Sequence, residues 1–428
     1  MNIFEEIQNC PVEWKELGEV VHSIKTGLNP RKFFQLNPTD ATNYYITVRE
    51  IRGHKIVPSE KTDLINNEGL ILCQNRSNLE SGDVLFTGTG TIGNIAIIEE
   101  TPTNWNIKEG VYSIKPKKEI ICSKFLMYIF ESERVRKDIE GRKAGGTVKS
   151  ISMTEMKKIK IPIPPLEIQE KIVQILDKMT EYVTELTSEL TSRKKQYSFY
   201  RDKLLSFEEQ AYQVEWKTLS EIAKDFGRGK SKHRPRNDAR LYGGDIPFIQ
   251  TGDIREAGKW IENYSQTYSA FGVEQSKKWE KGTLCITIAA NIAETGLLGF
   301  EACFPDSIIG FVANPEFAIT EYVYYYLNSI KDYLANKSYG SAQDNLNLST
   351  FSSLKIPVPS LEIQSRIVQV LDSFDKVCND LNIGLPKEIE LRQKQYEYFR
   401  EKLLTFVAEG EYTDSTVQYS TDKTSLGS

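Results

Sequence analysis

From Leu166 to Phe207 the apolar residues recur in alternating steps of three and four. One set of heptad positions holds Ile172, Met179, Leu186, Tyr200 and Phe207, and the other holds Leu176, Val183, Leu190, Tyr197 and Leu204, with a single breach at Arg193. So narrow a stripe predicts a helix whose apolar face needs another helix. At 1.5 Å per residue, about forty residues span roughly 60 Å, more than a small domain is wide. Residues 361 to 406 carry the same stripe through Ile367, Leu371, Phe374, Cys378 and Leu381, then Ile389, Tyr396, Phe399, Leu403 and Phe406. Gly384 and Pro386 predict a break there, and the four extra residues around it amount to a stutter that returns the stripe to the same face. The pattern predicts an antiparallel two-helix coiled coil with a seam of Ile172, Leu176, Met179, Val183, Leu186, Leu190, Ile367, Leu371, Phe374 and Leu381. The alternative is two helices that each fold back on their own domain. In either arrangement the aromatics Tyr197, Tyr200, Tyr396 and Phe399 read as seam or partner surface rather than a cofactor site.

The stretches before each helix have a shorter rhythm. Strands are expected at Tyr45 to Val48, Gly69 to Cys73, Asp83 to Thr87, Ile95 to Ile98 and Gly110 to Ile114, and helices at Ser123 to Glu140 and Thr320 to Ala335. Each stretch closes on an Ile-x-Ile-Pro or Ile-x-Val-Pro strand that feeds its long helix.

The two halves are copies. IPIPPLEIQEKIVQILD from Ile161 and IPVPSLEIQSRIVQVLD from Ile356 agree at twelve of seventeen positions, and KQYSFYRDKLL from Lys195 is echoed by KQYEYFREKLL from Lys394. Both halves open on Val-Glu-Trp-Lys, from Val12 and Val214. A period near 200 residues is too long for a solenoid and means a duplicated domain. The expected architecture is α+β, with mixed domains at 1–160 and 208–355 at opposite ends of the coiled coil. Spacer helices follow at 161–207 and 356–407, broken near 384–386, and an acidic, Ser/Thr-rich tail at 408–428 reads as disordered.

Composition excludes more than it selects. Hydrophobic content of 39% and charged content of 26% are ordinary for a soluble protein. No apolar run reaches membrane-spanning length, and the N-terminus lacks the pattern of a signal peptide, so a cytoplasmic location is expected. Six cysteines without a C-x-x-C pair and three scattered histidines suit reduced thiols and no metal site. A net charge of −5 argues against indiscriminate coating of nucleic acid, but a local basic footprint is compatible with a specific reader.

Catalytic signatures are absent, so no catalytic residue is assigned. Gly88-Thr-Gly-Thr-Ile-Gly93 matches G-x-G-x-x-G, but that fingerprint needs a following helix to hold a pyrophosphate, and the strand-like Asn-Ile-Ala-Ile-Ile follows instead. Either a tight loop presents backbone amides to phosphate or a groove, or the segment is a plain hairpin turn.

Three loops match between the copies and carry groove-reading chemistry. The first holds Lys25, Thr26, Arg31 and Lys32, with Arg228, Lys230, Lys232, Arg234 and Arg236 in its place in the second half. The second holds Arg49 and Arg52, with Gln250, Thr251 and Arg255 at an offset of 203. The third holds Lys149, with Ser341, Gln343 and Asn345 at an offset of 195. Thr89, Thr91 and Asn291 add the loop between. Arg and Lys contact phosphate and guanine; Gln and Asn pair with adenine.

Ile-Pro-x-Pro, Leu-Glu-Ile-Gln and Ile-Val-x-x-Leu-Asp, twice, with Lys-Gln-Tyr closing each helix, resemble the specificity subunit of type I restriction-modification systems. The resemblance implies two target recognition domains that each read half of an asymmetric, bipartite double-stranded DNA site. It implies helices that act as spacer and as docking surface for two methylation subunits and for restriction (translocase) subunits. It also implies no catalysis and no cofactor on this chain, with S-adenosylmethionine and ATP/Mg on the partners. A stand-alone DNA methyltransferase and a scaffold that does not bind DNA are the rival readings.

Overall fold

The computed structural model describes residues 3–30, 33–207, 214–289, 293–339, 347–380 and 382–406. Each half begins and ends in one small sheet. Glu13–Glu16 pairs antiparallel with Lys160–Ile163, setting Trp14 against Pro162. Glu215–Thr218 pairs in the same register with Lys355–Val358, setting Trp216 against Pro357. A two-stranded sheet is all edge, so prolines that cannot donate are tolerated. The long helices therefore start at Leu166 and Leu361 rather than at 161 and 356.

The motif glutamines lock this joint. Gln169 is wholly buried; its Oε1 accepts from Cys122 N, and its Nε2 donates to Ile120 O and Pro164 O, all at 2.9–3.0 Å. Gln364 repeats the set with Ile319 N, Phe317 O and Pro359 O. The motif aspartates receive tyrosines from the domains: Tyr128 donates to Asp177 at 2.7 Å, and Tyr325 donates to Asp372.

The fold is α+β, and the domains share a plan. In the first, Val21–Thr26, Val111–Pro116, Val84–Thr87 and Ile95–Ile97 form a four-stranded antiparallel sheet, beside a three-stranded sheet of Leu64–Ile65, Asn43–Ile46 and Trp105–Ile107. In the second, Ala223–Arg228, Ile308–Ala313, Leu284–Thr287, Thr295–Leu298 and Trp260–Ile261 form the larger sheet. Gln266–Tyr268, Tyr242–Phe248, Ala302–Cys303 and Lys278–Trp279 form the smaller. One expected strand is a helix. Asn66 caps Asn67–Ser77 by accepting from Gly69 N, and Leu70, Cys73 and Ser77 point inward while Ile71 and Leu72 are exposed. The short apolar run Gly69 to Cys73 fits either period; the cap and the inward spacing decide it. The helix expected over Ser123 to Glu140 divides into Ser123–Glu131 and Glu133–Gly141, and that over Thr320 to Ala335 into Thr320–Ser329 and Lys331–Tyr339. Ser132 and Ser329 each bond back to a carbonyl three residues earlier, competing with the helical ladder.

Leu166–Ser206 is one continuous helix, whereas the second is Leu361–Asn379 followed by Leu385–Leu404. At Gly384 a Cβ would lie 2.6 Å from the carbonyl oxygens of Lys376 and Asp380, so only glycine lets the chain turn there. The chain forms two compact units, residues 1–183 with 392–428, and residues 184–391. Each contains a domain, the start of the helix it feeds and the end of the other. Within each unit the two segments run antiparallel. In the first, Arg392 lies over Tyr182, while Lys171 and Phe399 both reach the N-terminal helix Ile3–Gln8, at Glu6 and Phe4. In the second, Tyr200 stacks on Phe374 at 5.8 Å and Leu205 shares a core with Ile367 and Leu371.

The expected seam needs correction at its start. Ile172, Leu176, Ile367 and Leu371 are at most 5% exposed because they roof the domain cores, beside Phe125 in one case and Tyr322 in the other. Beyond them Met179, Val183, Leu190 and Phe374 are half-buried, Leu186 is buried, and Leu381 lies outside the described residues. Between Thr187 and Gln196 every residue but Leu190 is exposed. The stripe that reads as one seam is domain roof first and helix contact second. The tail from 408 also lies outside the described residues.

Candidate nucleic-acid interface

Close backbone approaches gather the loops of the first domain on one edge. A Cβ on Gly27 would lie 2.0 Å from Ile107 O, so the chain can pass there only as glycine, and Leu28 then bridges Lys108. Thr89 bridges Ser150, and Asn94 Nδ2 donates to Ile51 O at 3.2 Å. The segments 27–30, 51–56, 88–94, 108–110 and 144–150 are thereby neighbours. Lys25, Arg52, Thr91 and Lys149 are exposed, and Thr89 is half-buried. Lys55 and Lys108, which the pairing of loops between the copies does not pick out, are exposed on the same segments. Thr26 does not face outward: it is 8% exposed and its hydroxyl accepts from Gly110 N at 3.1 Å. Arg31 and Lys32 lie outside the described residues.

The glycine-rich segment is a hairpin turn. Its glycine amides are occupied, Gly88 N on Gly110 O, Gly90 N on Lys149 O and Gly93 N on Thr87 O, which leaves no phosphate cradle among the three. In the second domain the described ends of the matching segment close with the same bonds without the glycines. Thr287 N donates to Glu294 O as Thr87 N does to Asn94 O, and Ala293 N donates to Thr287 O as Gly93 N does. Ala293 takes φ +63° where Gly93 takes +100°. Asn291 lies outside the described residues.

In the second domain Gly229 replaces Gly27: a Cβ would lie 2.1 Å from Phe304 O. The basic loop after it is fastened by its own arginines. Arg236 Nη2 donates to both carboxylate oxygens of Asp306 at 2.9 and 3.0 Å, and Arg228 Nε donates to Asp306 O. Arg234 donates to Ser231 O and His233 O. Hydrogen bonds from Arg240 hold the Asp238 carboxyl well below the usual carboxylate range. These arginines shape the loop first, whereas Lys230 and Lys232 are exposed with only their backbones engaged by Ser276 and Gln275. Ser341, Gln343 and Asn345 lie outside the described residues.

The second loop pair is superposable in its bonding. Thr47 N donates to Glu50 and Gln250 N to Asp253, each at 2.8 Å, capping a short helical turn in each domain. Arg49 reaches Asp63 at 3.0 Å, whereas Gln250 Nε2 donates to Gln266 at 2.7 Å. Thr251 is half-buried in the turn and Arg255 is exposed. A nearby cleft is lined by six carboxylates, among them Asp253, Asp372 and Asp380, against Lys259 and Lys376, a net-negative lining that disfavours phosphate.

Among the described residues no group of His, Cys, Asp or Glu is placed to hold a metal ion, and no helix is long and apolar enough to cross a membrane. Burial pushes the Cys73 thiol up to about 12, so it is a packing residue rather than a nucleophile.

Residues 11–193 and 213–391 match the type I restriction modification DNA specificity domain. The Escherichia coli EcoR124I/EcoR124II specificity subunit is 38% identical over 271 residues, covering 60% of this chain and 65% of that one. The chain thus spans just under two thirds of that relative. A type I restriction enzyme specificity subunit of Haemophilus influenzae is 32% identical over 279 residues, covering 61% and 68%. In fold, a chain of a solved type I R-M system matches with a TM-score of 0.62 at 20% identity, covering 92% of this chain and 98% of that one.

Proposed function

Since this chain belongs to the type I restriction modification DNA specificity family, we propose that it is the sequence-reading subunit of a type I restriction-modification complex. Each domain reads one half of an asymmetric, bipartite double-stranded DNA target. One observation carries the reading: two domains keep the same backbone scaffold, Gly27 with Gly229 and Thr47–Glu50 with Gln250–Asp253, under different outward side chains. A shared framework with exchanged edge chemistry suits two readers of two sequences. Phosphates are met by exposed lysines, Lys25, Lys55, Lys108 and Lys149 in one domain and Lys230 and Lys232 in the other.

The chain itself is non-catalytic and binds no cofactor. Two methylation subunits dock on it and supply S-adenosylmethionine; restriction subunits supply ATP/Mg-dependent translocation and cleavage, all in the cytoplasm. The test is a chimera in which residues 214–355 are replaced by the matching domain of a relative. Mapped methylation should change in one half-site and persist in the other. A chimera whose whole site changes, or a purified chain that methylates DNA unaided, overturns the reading.

A further inference from the structure

The edge strands of the smaller sheets place the anchoring partner of one side-chain pair at the same position in both domains. In the first domain Asn43 faces Ile65 and Tyr44 faces Leu64, and Tyr45 N continues the ladder to Asp63 O at 2.8 Å. In the second, Ile246 faces Tyr268, Pro247 faces Thr267 and Phe248 faces Gln266. The offset is 203 throughout, the same offset that relates the two capped turns. Asp63 and Gln266 therefore occupy one structural position, and each holds a side chain of the adjoining turn: Arg49 in one domain, Gln250 in the other.

The two pairs differ in chemistry but share two physical properties. Both are electrically neutral as pairs, one an ion pair and the other two amides, so neither adds much to attraction for a phosphate backbone. Both fix the rotamer of an exposed or half-buried polar side chain, so less conformational freedom remains to be lost on binding. What is left over is directional. Arg49 gives Nε to Thr47 and one Nη2 hydrogen to Asp63, which leaves both Nη1 hydrogens and one on Nη2. Two adjacent donors complement guanine O6 and N7. Gln250 gives one Nε2 hydrogen to Gln266, and its oxygen faces the Asp253 amide of the capping box, which leaves one donor and the second lone pair of the carbonyl oxygen. A donor beside an acceptor complements adenine N7 and N6.

We propose that Arg49 and Gln250 are base-reading residues of the two matching turns, held from one shared strand position although Gln250 itself stands where the first domain has Thr47. Asp63 and Gln266 act through them as positioning residues. Arg49 selects a guanine and Gln250 an adenine. This deepens the DNA-reading function proposed above and rests on it.

The experiment uses the full chain assembled with its methylation subunits, and reads methylated sites by genome-wide mapping and affinity on duplexes varied one base pair at a time. Gln266→Leu removes the acceptor that holds Gln250; preference at one A·T pair of the second domain's half-site should fall about tenfold, with the other half-site and the thermal midpoint unchanged. Gln266→Glu keeps an acceptor oxygen and should retain that preference, while its charge weakens affinity for all duplexes alike. Asp63→Ala should relax one G·C pair in the first domain's half-site. Unaltered preference in Gln250→Ala and Arg49→Ala complexes overturns the proposal while leaving the DNA-reading function standing. A wild-type complex without sequence preference removes that function as well.

Discussion

The Tyr396 hydroxyl donates to Glu131 Oε2 at 3.1 Å, joining residues 265 apart in sequence. Glu131 also meets His54 at 2.8 Å and the Arg400 guanidinium at 3.7 Å. The end of the last helix is thereby tied to the first domain and, through His54, to the hairpin beside its basic loops. Burial alone would raise the Glu131 carboxyl, but His54, Arg400 and Tyr396 outweigh it and hold it below the usual 4.5.

A carboxylate lowered in the folded state adds stability above its unfolded value and forfeits it as pH falls through its folded value. The first unit should therefore lose stability as pH drops below 4.5. Glu131→Gln should abolish that part of the acid dependence and cost about 2–3 kcal/mol at neutral pH, because charged hydrogen bonds are lost. Urea unfolding across pH 3 to 7, comparing wild type with the variant, measures both.

Gln169 and Gln364 should be the most sensitive residues of the repeated motif. Replacing either by leucine leaves one buried amide and two carbonyls of the joint without their partner. A cost of about 2–4 kcal/mol is expected. Gln169→Leu should lower the unfolding transition of the first unit and Gln364→Leu that of the second, read by calorimetry. A loss below about 1 kcal/mol would mean that water satisfies the joint.

Gly93→Ala should destabilise the first domain by about 1–2 kcal/mol, since φ is +100° and the cost is backbone strain rather than a clash. DNA affinity, corrected for the folded fraction, should not change, because the glycine amides are occupied within the turn. An affinity loss beyond the stability loss would restore a phosphate role to this loop.

Lys230 and Lys232 should account for the salt dependence of the second domain. Changing both to Gln should reduce the slope of log K against log salt by about 0.9 for each phosphate that is no longer neutralised. Arg236→Gln should instead loosen the loop by freeing Asp306, and lower affinity with a smaller change in slope.

The repeat, the α+β class, the two closing strands and four of the five strands named in the first domain were legible because they are written locally, in alternation, turn residues and identical motifs. Gly69 to Cys73 misled because five apolar residues carry no usable period, and only the Asn66 cap reveals a helix. The seam was half legible: Ile172 and Leu176 satisfy a heptad equally well whether a domain or a helix lies beneath them. At the candidate interface the basic loop was visible as charge, but Asp306, far along the chain, converts Arg236 from a free cation into a strut. Asp63 and Gln266 were invisible because they share a position only through strand register, and nothing in their identity advertises it.

The glutamine joint has a consequence for inheritance. Every partner of Gln169 and Gln364 is a main-chain atom. At that corner the helix asks the domain only for two carbonyls and one amide; side chains enter further along, where a tyrosine meets Asp177 or Asp372 and the domain core meets the helix roof. The same joint recurs at both helix starts, so a domain whose backbone fits one corner carries the fitting needed at the other, and recognition can be exchanged as a unit while the framework stays unaltered.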